Sequence, residues 1–284
     1  MKTYIITGGN SGLGFETARI IADTEAKIIL ACRNMGKGQA AAERMIQETG
    51  NHNIEVQSLD LASLDSVRLF AERLRGITID GIDNNAGVSG MHTGCTEDGM
   101  DVVFQSNYLG HFLLTNLLLP RIADHGRILN ISSDMHDPPY ESLVWKGVDI
   151  LVHPKDCVMK QRYFYSKLCN LYFTYELDRR LRAKGSHIAV SALNPGFMDD
   201  TNLAGGRMTQ EQIEEVRRTM PDRCGKLSVS AKAAADILTV PEYAVQAAKY
   251  YDRSTRVASS SDLSYDQGNA EELWEESLRL TGLK

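Results

Sequence analysis

The sequence predicts an α/β fold, a doubly wound parallel sheet with helices on both faces in a single domain, and three observations predict it. Short apolar runs of strand character alternate with longer amphipathic stretches along nearly the whole chain. A glycine-rich turn, Gly8-Gly9-Asn10-Ser11-Gly12-Leu13-Gly14, stands between the first strand and the first helix. At 284 residues, 43% hydrophobic and 24% charged, the chain is long enough to bury one sizeable core, and no linker, internal repeat or low-complexity segment divides it.

Taken in order, Lys2-Thr3-Tyr4-Ile5-Ile6-Thr7 reads as the first strand and about 12–23 as a helix with Leu13, Ala18, Ile21 and Ala22 available for one face. Lys27-Ile28-Ile29-Leu30-Ala31 follows at the distance a βαβ unit requires. The alternation continues with a helix at about 36–48, strand 54–57, helix 63–75, strand 78–83, helix 99–119, strand 126–131, helix 160–183 and strand 187–193. A helix near 229–239, a short strand near 249–252 and a last amphipathic helix at about 270–281, read as a lid or brace, complete the pattern. Two segments, 134–160 and 197–226, do not fit it and are candidates for the walls of a substrate pocket. Met135, His136, Pro138, Pro139, Tyr140, Trp145, Val148 and Met159 suit such a wall in the first segment, although a surface excursion packed for stability has the same composition. In the second, Met198, Leu203, Met208 and Met220 offer adaptable apolar surface.

A net charge of −6 without a block of like charge argues against nucleic acid or a membrane surface as the main partner and leaves small molecules. Cys32, Cys95, Cys157, Cys169 and Cys224 are odd in number and lack Cys-x-x-Cys spacing, so reduced, mostly buried thiols are expected rather than a disulfide framework or a zinc site. His136 and His153 have no ligand partner at metal spacing, and no metal is expected. Structure is expected to start with the first strand, with no membrane anchor, which reads as a cytoplasmic protein of undecided oligomeric state.

The glycine turn between strand and helix is suited to a dinucleotide. Glycines permit a tight turn at positive φ, and their missing side chains let backbone N–H groups and the helix start approach a pyrophosphate. On the helix at 160–183, Tyr163 and Lys167 lie one turn apart on one face. An ammonium held near a phenol favours the phenolate, so the Tyr163 pKa is expected to fall and its hydroxyl to serve as an acid or base.

With Thr-Gly-x-x-x-Gly-x-Gly at 7–14, Asn84-Asn85-Ala86-Gly87, Ser132-Ser133 and Tyr163-x-x-x-Lys167 in this order, the whole chain resembles the short-chain dehydrogenase/reductase family, whose fold is of Rossmann type. The resemblance implies that Gly8, Asn10, Ser11, Gly12, Leu13, Gly14, Asn85, Ala86 and Gly87 line the cofactor, that Asp60 and Leu61 border its adenine, and that Pro195 and Gly196 flank its nicotinamide. It also implies Tyr163 as proton donor or acceptor, Lys167 as the residue that holds the nicotinamide ribose, and Asn107 as support for a water chain to the lysine. A serine hydroxyl polarises the carbonyl; strand alternation lets only one of Ser132 and Ser133 face the crevice, and the family register favours Ser133. Thr201 resembles the threonine that bonds the carboxamide, one residue later than the pattern.

The second strand ends in Ala31-Cys32-Arg33-Asn34, where an acid would bind a ribose 2′-hydroxyl; Arg33 instead suits a 2′-phosphate, so NADP(H) is preferred and NAD(H) possible. Asn107-Tyr108-Leu109-Gly110-His111-Phe112 and the C-terminal Leu273-Trp274 are similar to the branch that holds retinol dehydrogenases, WW-domain oxidoreductases and protochlorophyllide reductases, which implies a bulky, apolar carbonyl or alcohol substrate. Phe197 stands where the protochlorophyllide enzymes carry a cysteine. Two rivals to an oxidoreductase are a catalytically idle NADP(H) sensor or interaction protein, against which the full catalytic set argues, and an epimerase or dehydratase, which the glycine spacing and modest length disfavour.

Overall fold

The computed structural model describes residues 1–153, 159–199, 201, 203, 208–245 and 248–283. β1 (Thr3–Thr7) is buried along its whole length, as a central strand covered by helices on both faces must be. α1 (Gly12–Ala22), β2 (Lys27–Cys32), α2 (Met35–Thr49), β3 (Ile54–Ser58), α3 (Leu64–Arg73) and β4 (Ile79–Asn84) repeat the βα unit. The second half comprises α4 (Val102–Phe104), α5 (Gly110–Leu118), β5 (Ile122–Ile131), α6 (Asp149–Val152), α7 (Met159–Ala183), β6 (Ala189–Asn194), α8 (Gln210–Thr219), α9 (Leu227–Thr239), β7 (Lys249–Asp252), β8 (Val257–Ala258) and α10 (Gln267–Thr281).

These strands form one eight-stranded sheet in the order β3-β2-β1-β4-β5-β6-β7-β8. Every pairing is parallel except β7 with β8, so the doubly wound sheet is as expected but closes on an antiparallel edge strand that is only two residues long. Strand order reverses between β1 and β4, which opens a crevice beyond their carboxyl ends. One core layer packs α3, α5, α7 and α10 on the sheet, and the other packs α1, α2 and α9. In the first, the Phe112 and Trp274 rings meet edge to face at 5.1 Å, and the Tyr108 hydroxyl bonds Ser277 Oγ at 2.7 Å, so α10 acts as a brace rather than a lid.

The second layer contains an anomaly. Ile82 of β4 points into the first layer, so strand alternation sends Asp83 to the second, level with Ile6 and Leu129 on the neighbouring strands. Asp83 is fully buried and neither carboxyl oxygen has a hydrogen-bond partner. Burial alone pushes its pKa up to about 8.

Two departures from the expected elements have physical reasons. The helix expected over 99–119 starts only at Val102, capped by the Asp101 carboxylate on the Val103 and Phe104 N–H groups, and it is interrupted by a π turn over Gln105–Leu109. Within the segment 197–226, α8 forms behind a capping box in which Thr209 and Gln212 satisfy each other's backbone N–H. Among the described residues no helix is long and apolar enough to cross a membrane.

Candidate active site

At the mouth of the crevice the Thr7 hydroxyl ties β1 to β4. It accepts from the Asn85 and Ala86 backbone N–H groups at 2.9 Å each, and the Asn85 amide donates to the Thr7 carbonyl at 2.8 Å. The Thr7 hydroxyl donates toward the Asp83 carbonyl at 3.1 Å and also lies 2.9 Å from His111 Nε2. Burial holds the His111 pKa down to about 3, and Nδ1 lies 3.3 Å from the Asn107 carbonyl, which can only accept, so the neutral ring donates from Nδ1. Motif spacing assigns neither Thr7 nor His111 a role, although both stand inside the stretches that carry the resemblance.

Gly8 and Gly12 adopt φ of +67° and +56°, the left-handed region that glycine enters without strain. A side chain on Gly8 would press on Ala86, and one on Gly14 would run into the Asn85 amide, so the glycine turn and the Asn85-Ala86-Gly87 turn are packed on each other. Asn10 and Ser11 remain partly exposed beside the buried Leu13. Ser11 caps α1 without a side-chain hydrogen bond, and no acid stands in the first turn. The α1 N–H groups therefore remain open to an anion. This cradle fits the pyrophosphate of a dinucleotide.

Asn107 sits fully buried in the π turn. Its amide exchanges bonds with the Val88 backbone, Oδ1 accepting at 2.7 Å and Nδ2 donating at 2.9 Å, and donates to Ser166 Oγ at 3.0 Å. The π turn thus aims Asn107 at the strand turn beside Gly87, where a built Cβ would come 3.9 Å from Lys167 Nζ. Lys167 is buried and donates to the Ile131 carbonyl at 3.0 Å. Its ammonium lies 5.4 Å from the centre of the Tyr163 ring. Ser132 is turned inward and donates to the Lys167 carbonyl at 2.9 Å. Ser133 faces the other way, as strand alternation requires of neighbours; its hydroxyl accepts from the Met135 N–H at 3.1 Å and lies near enough to the Tyr163 phenol to lower its pKa.

The expected fall of the Tyr163 pKa is not what the geometry produces. Burial pushes the phenol up to about 12, with the Ser133 hydrogen bond opposing and the Asp134 charge reinforcing the rise. Burial also lowers Lys167 to about 8. The ammonium is spent on the Ile131 carbonyl and lies over the ring rather than against the hydroxyl, so desolvation outweighs attraction. Tyr163 still keeps part of its surface exposed.

Around this centre stands a charged rim that the motifs did not announce. Asp134 follows Ser133 and faces Arg223 at 3.6 Å and Arg253 at 3.5 Å. Burial raises its pKa while the two guanidiniums pull it back. His136 is buried; Nδ1 lies 2.6 Å from the Ser133 carbonyl and Nε2 accepts from the Ser261 N–H at 3.0 Å. It thereby pins the Ser133 turn to the C-terminal segment. Pro195 and Gly196 follow β6, with the Pro195 carbonyl accepting from Ser230 Oγ at 2.9 Å and Gly196 at φ +78° against Gly225. Phe197 and Cys224 form a parallel bridge, so segment 197–226 is clamped at both ends to this turn. Thr201 lies beside the glycine turn, 3.5 Å from a Cβ built on Gly12, and donates to the Met198 carbonyl at 3.0 Å.

Other expected residues lie farther out. Arg33 is exposed at the end of β2, and Asn34 next to it caps α2 by accepting from the Lys37 N–H at 2.9 Å. The Asp60 carboxylate accepts from the Ala62 N–H at 3.0 Å, and Leu61 is buried in the first core layer. In segment 134–160, Trp145 packs edge to face on Tyr172 at 5.2 Å and Val148 enters the core; Tyr140 is the exposed aromatic there. Cys157 and the Met159 side chain lie outside the described residues.

The short chain dehydrogenase family profile matches residues 2–144. The chain is 36% identical over 295 residues to retinol dehydrogenase 13 of Homo sapiens, across 100% of this chain and 85% of that protein. It is 40% identical over 209 residues to the WW domain-containing oxidoreductase of Danio rerio, across 71% of this chain and 50% of that one. Among solved structures, an uncharacterised protein from Mycobacterium paratuberculosis aligns with a TM-score of 0.76 at 33% identity, over 99% of this chain and 94% of its own. A blue fluorescent protein from a metagenomic library, in complex with NADPH, shares the fold with a TM-score of 0.70 at 21% identity, over 89% and 96%. A relative 36% identical along the whole chain, together with a family profile spanning half of it, agrees with the crevice geometry: the chain belongs to the short-chain dehydrogenase family of oxidoreductases.

Proposed function

We propose that this protein is an NADP(H)-dependent oxidoreductase that interconverts a bulky, apolar ketone or aldehyde with its alcohol, Tyr163 serving as the acid or base. The observation that carries this reading is the Lys167 ammonium 5.4 Å from the centre of the Tyr163 ring, on the same phenol whose pKa the Ser133 hydroxyl lowers against the effect of burial. A nicotinamide cofactor, when bound, supplies or takes up the hydride. Its pyrophosphate would rest on the Gly8–Gly14 turn and the open α1 N-terminus, Lys167 would hold the nicotinamide ribose, and Thr201 and the Pro195-Gly196 turn would border the nicotinamide.

Two hydroxyls converging on one point can both meet a carbonyl oxygen. Ser133 donates to that oxygen and stabilises the charge it gains, and Tyr163 delivers the proton. A phenol held near 12 remains protonated at neutral pH, which suits it to donate in the reductive direction. Asn107 holds the strand turn beside Lys167, and His136 holds the Ser133 turn.

The absence of an acid at the end of β2 and the exposed Arg33 support NADP(H) over NAD(H). The relative named for retinol supports an apolar substrate, with a cytoplasmic location proposed for the chain. The test is NADPH oxidation at 340 nm across bulky aldehydes and ketones, with Tyr163→Phe as the control. Turnover by the wild type that disappears in the variant supports this reading; tight NADPH binding with no turnover on any carbonyl refutes it and leaves the cofactor-sensing alternative.

A further inference from the structure

Strand pairing brings together three metal-ligating side chains at the end of the sheet opposite the crevice. β5 and β6 run parallel with Arg127 beside Ala189, so two residues upstream His125 falls beside His187. The β5 register on β4 slips between Ile79 and Gly81, and in this irregular stretch His125 takes φ +60°, a left-handed conformation that strains a non-glycine residue. The two imidazole rings stack at 4.8 Å with an interplanar angle of 11°. His187 Nδ1 lies 3.0 Å from one Asp124 carboxylate oxygen, and His125 Nε2 lies 3.6 Å from the other. One ligand atom from each residue falls within 4.8 Å of the other two. All three side chains are more than half exposed, at 69%, 55% and 60% for Asp124, His125 and His187, so core packing does not account for a strained histidine at this place.

We propose that Asp124, His125 and His187 bind a divalent transition ion, Zn²⁺ foremost, which clips the start of β5 to the start of β6. Two imidazoles and a carboxylate are a three-ligand set for zinc that leaves a fourth position to water, whereas Mg²⁺ and Ca²⁺ favour all-oxygen surroundings. Tetrahedral coordination at about 2.1 Å places ligand atoms about 3.4 Å apart. The two closer pairs are already near that spacing. The stacked rings must turn until both planes contain the ion, and their exposure leaves room for this. The ligands come from positions 62 residues apart along the chain, at 125 and 187, so no motif spacing signals them.

The test is calorimetric titration of ZnCl₂ into the full, tag-free chain after chelator treatment and dialysis, for the wild type, His187→Ala, and His125→Gly. The glycine variant removes a ligand while accepting the same backbone without strain. The wild type should bind one Zn²⁺ per chain, and each variant should lose about tenfold or more in affinity, at least what loss of a supporting group around a metal costs. Saturating ZnCl₂ should raise the wild-type Tm and leave that of the variants unmoved, and MgCl₂ should raise none. Undiminished zinc affinity in both variants, no saturable binding by the wild type, or an equal response to Mg²⁺ would overturn the proposal.

Discussion

Removing the carboxyl of Asp83 should stabilise this protein, and increasingly so as pH rises. Both oxygens lack partners, and burial moves the pKa from 3.8 to about 8. Between those values the folded chain keeps a proton that the unfolded chain releases. The stability associated with this group is therefore fully present below pH 3.8, declines as pH rises, and levels off above about 8. Each pH unit inside the window is worth about 1.4 kcal/mol, so the handicap reaches about 4 kcal/mol at pH 7. Asp83→Leu keeps the branched skeleton in an apolar layer, and Asp83→Asn keeps the shape without the titration. Their packing differs from that of the wild type by an offset that does not depend on pH. Urea unfolding of all three at pH 5.5 and pH 7.0 isolates the titration, because the stability gap between either variant and the wild type should widen by about 2 kcal/mol between these conditions. A gap of constant size would refute the reasoning, since it would mean that Asp83 titrates alike in the folded and unfolded chain.

Tyr163→Phe should lower turnover by orders of magnitude while NADPH affinity barely changes, because it removes the transferable proton and keeps the ring; steady-state kinetics with cofactor titration checks both halves. Lys167→Ala should weaken NADPH binding as well as rate, and unchanged affinity would count against its ribose role. Arg33→Ala should cost NADPH about 1.5–3 kcal/mol while NADH binding stays put, so fluorescence titration of both cofactors should show the preference falling by about one to two powers of ten. Gly14→Ala should push the Asn85 amide off the Thr7 carbonyl, a bond of 2.8 Å. That change should lower both Tm and cofactor affinity, whereas loss of Tm alone would separate the packing role of this glycine from a binding role.

The amino-acid sequence alone determined the alternation of strands and helices and the glycine turn at 7–14. It also placed Tyr163 one turn from Lys167, because hydrophobic period and short spacing are local properties that any correct fold must honour. Alternation says only that Ser132 and Ser133 face opposite ways; that Ser132 is the one tied to the Lys167 carbonyl is a tertiary contact. Other features needed chain brought together from far apart. The π turn that aims Asn107 at Val88, the Thr7–His111 contact, and the Arg223 and Arg253 guanidiniums on Asp134 join residues whose separation no local pattern encodes. The same holds for ionisation. Spacing placed an ammonium beside a phenol and so predicted a lowered tyrosine, but desolvation depends on what the whole fold stacks over the pair, and it drives Tyr163 up instead. Asp83 makes the point most plainly: its neighbours in sequence, Ile82 and Asn84, give no sign of its burial, which exists only because β1 and β5 flank β4 and helices close over the sheet.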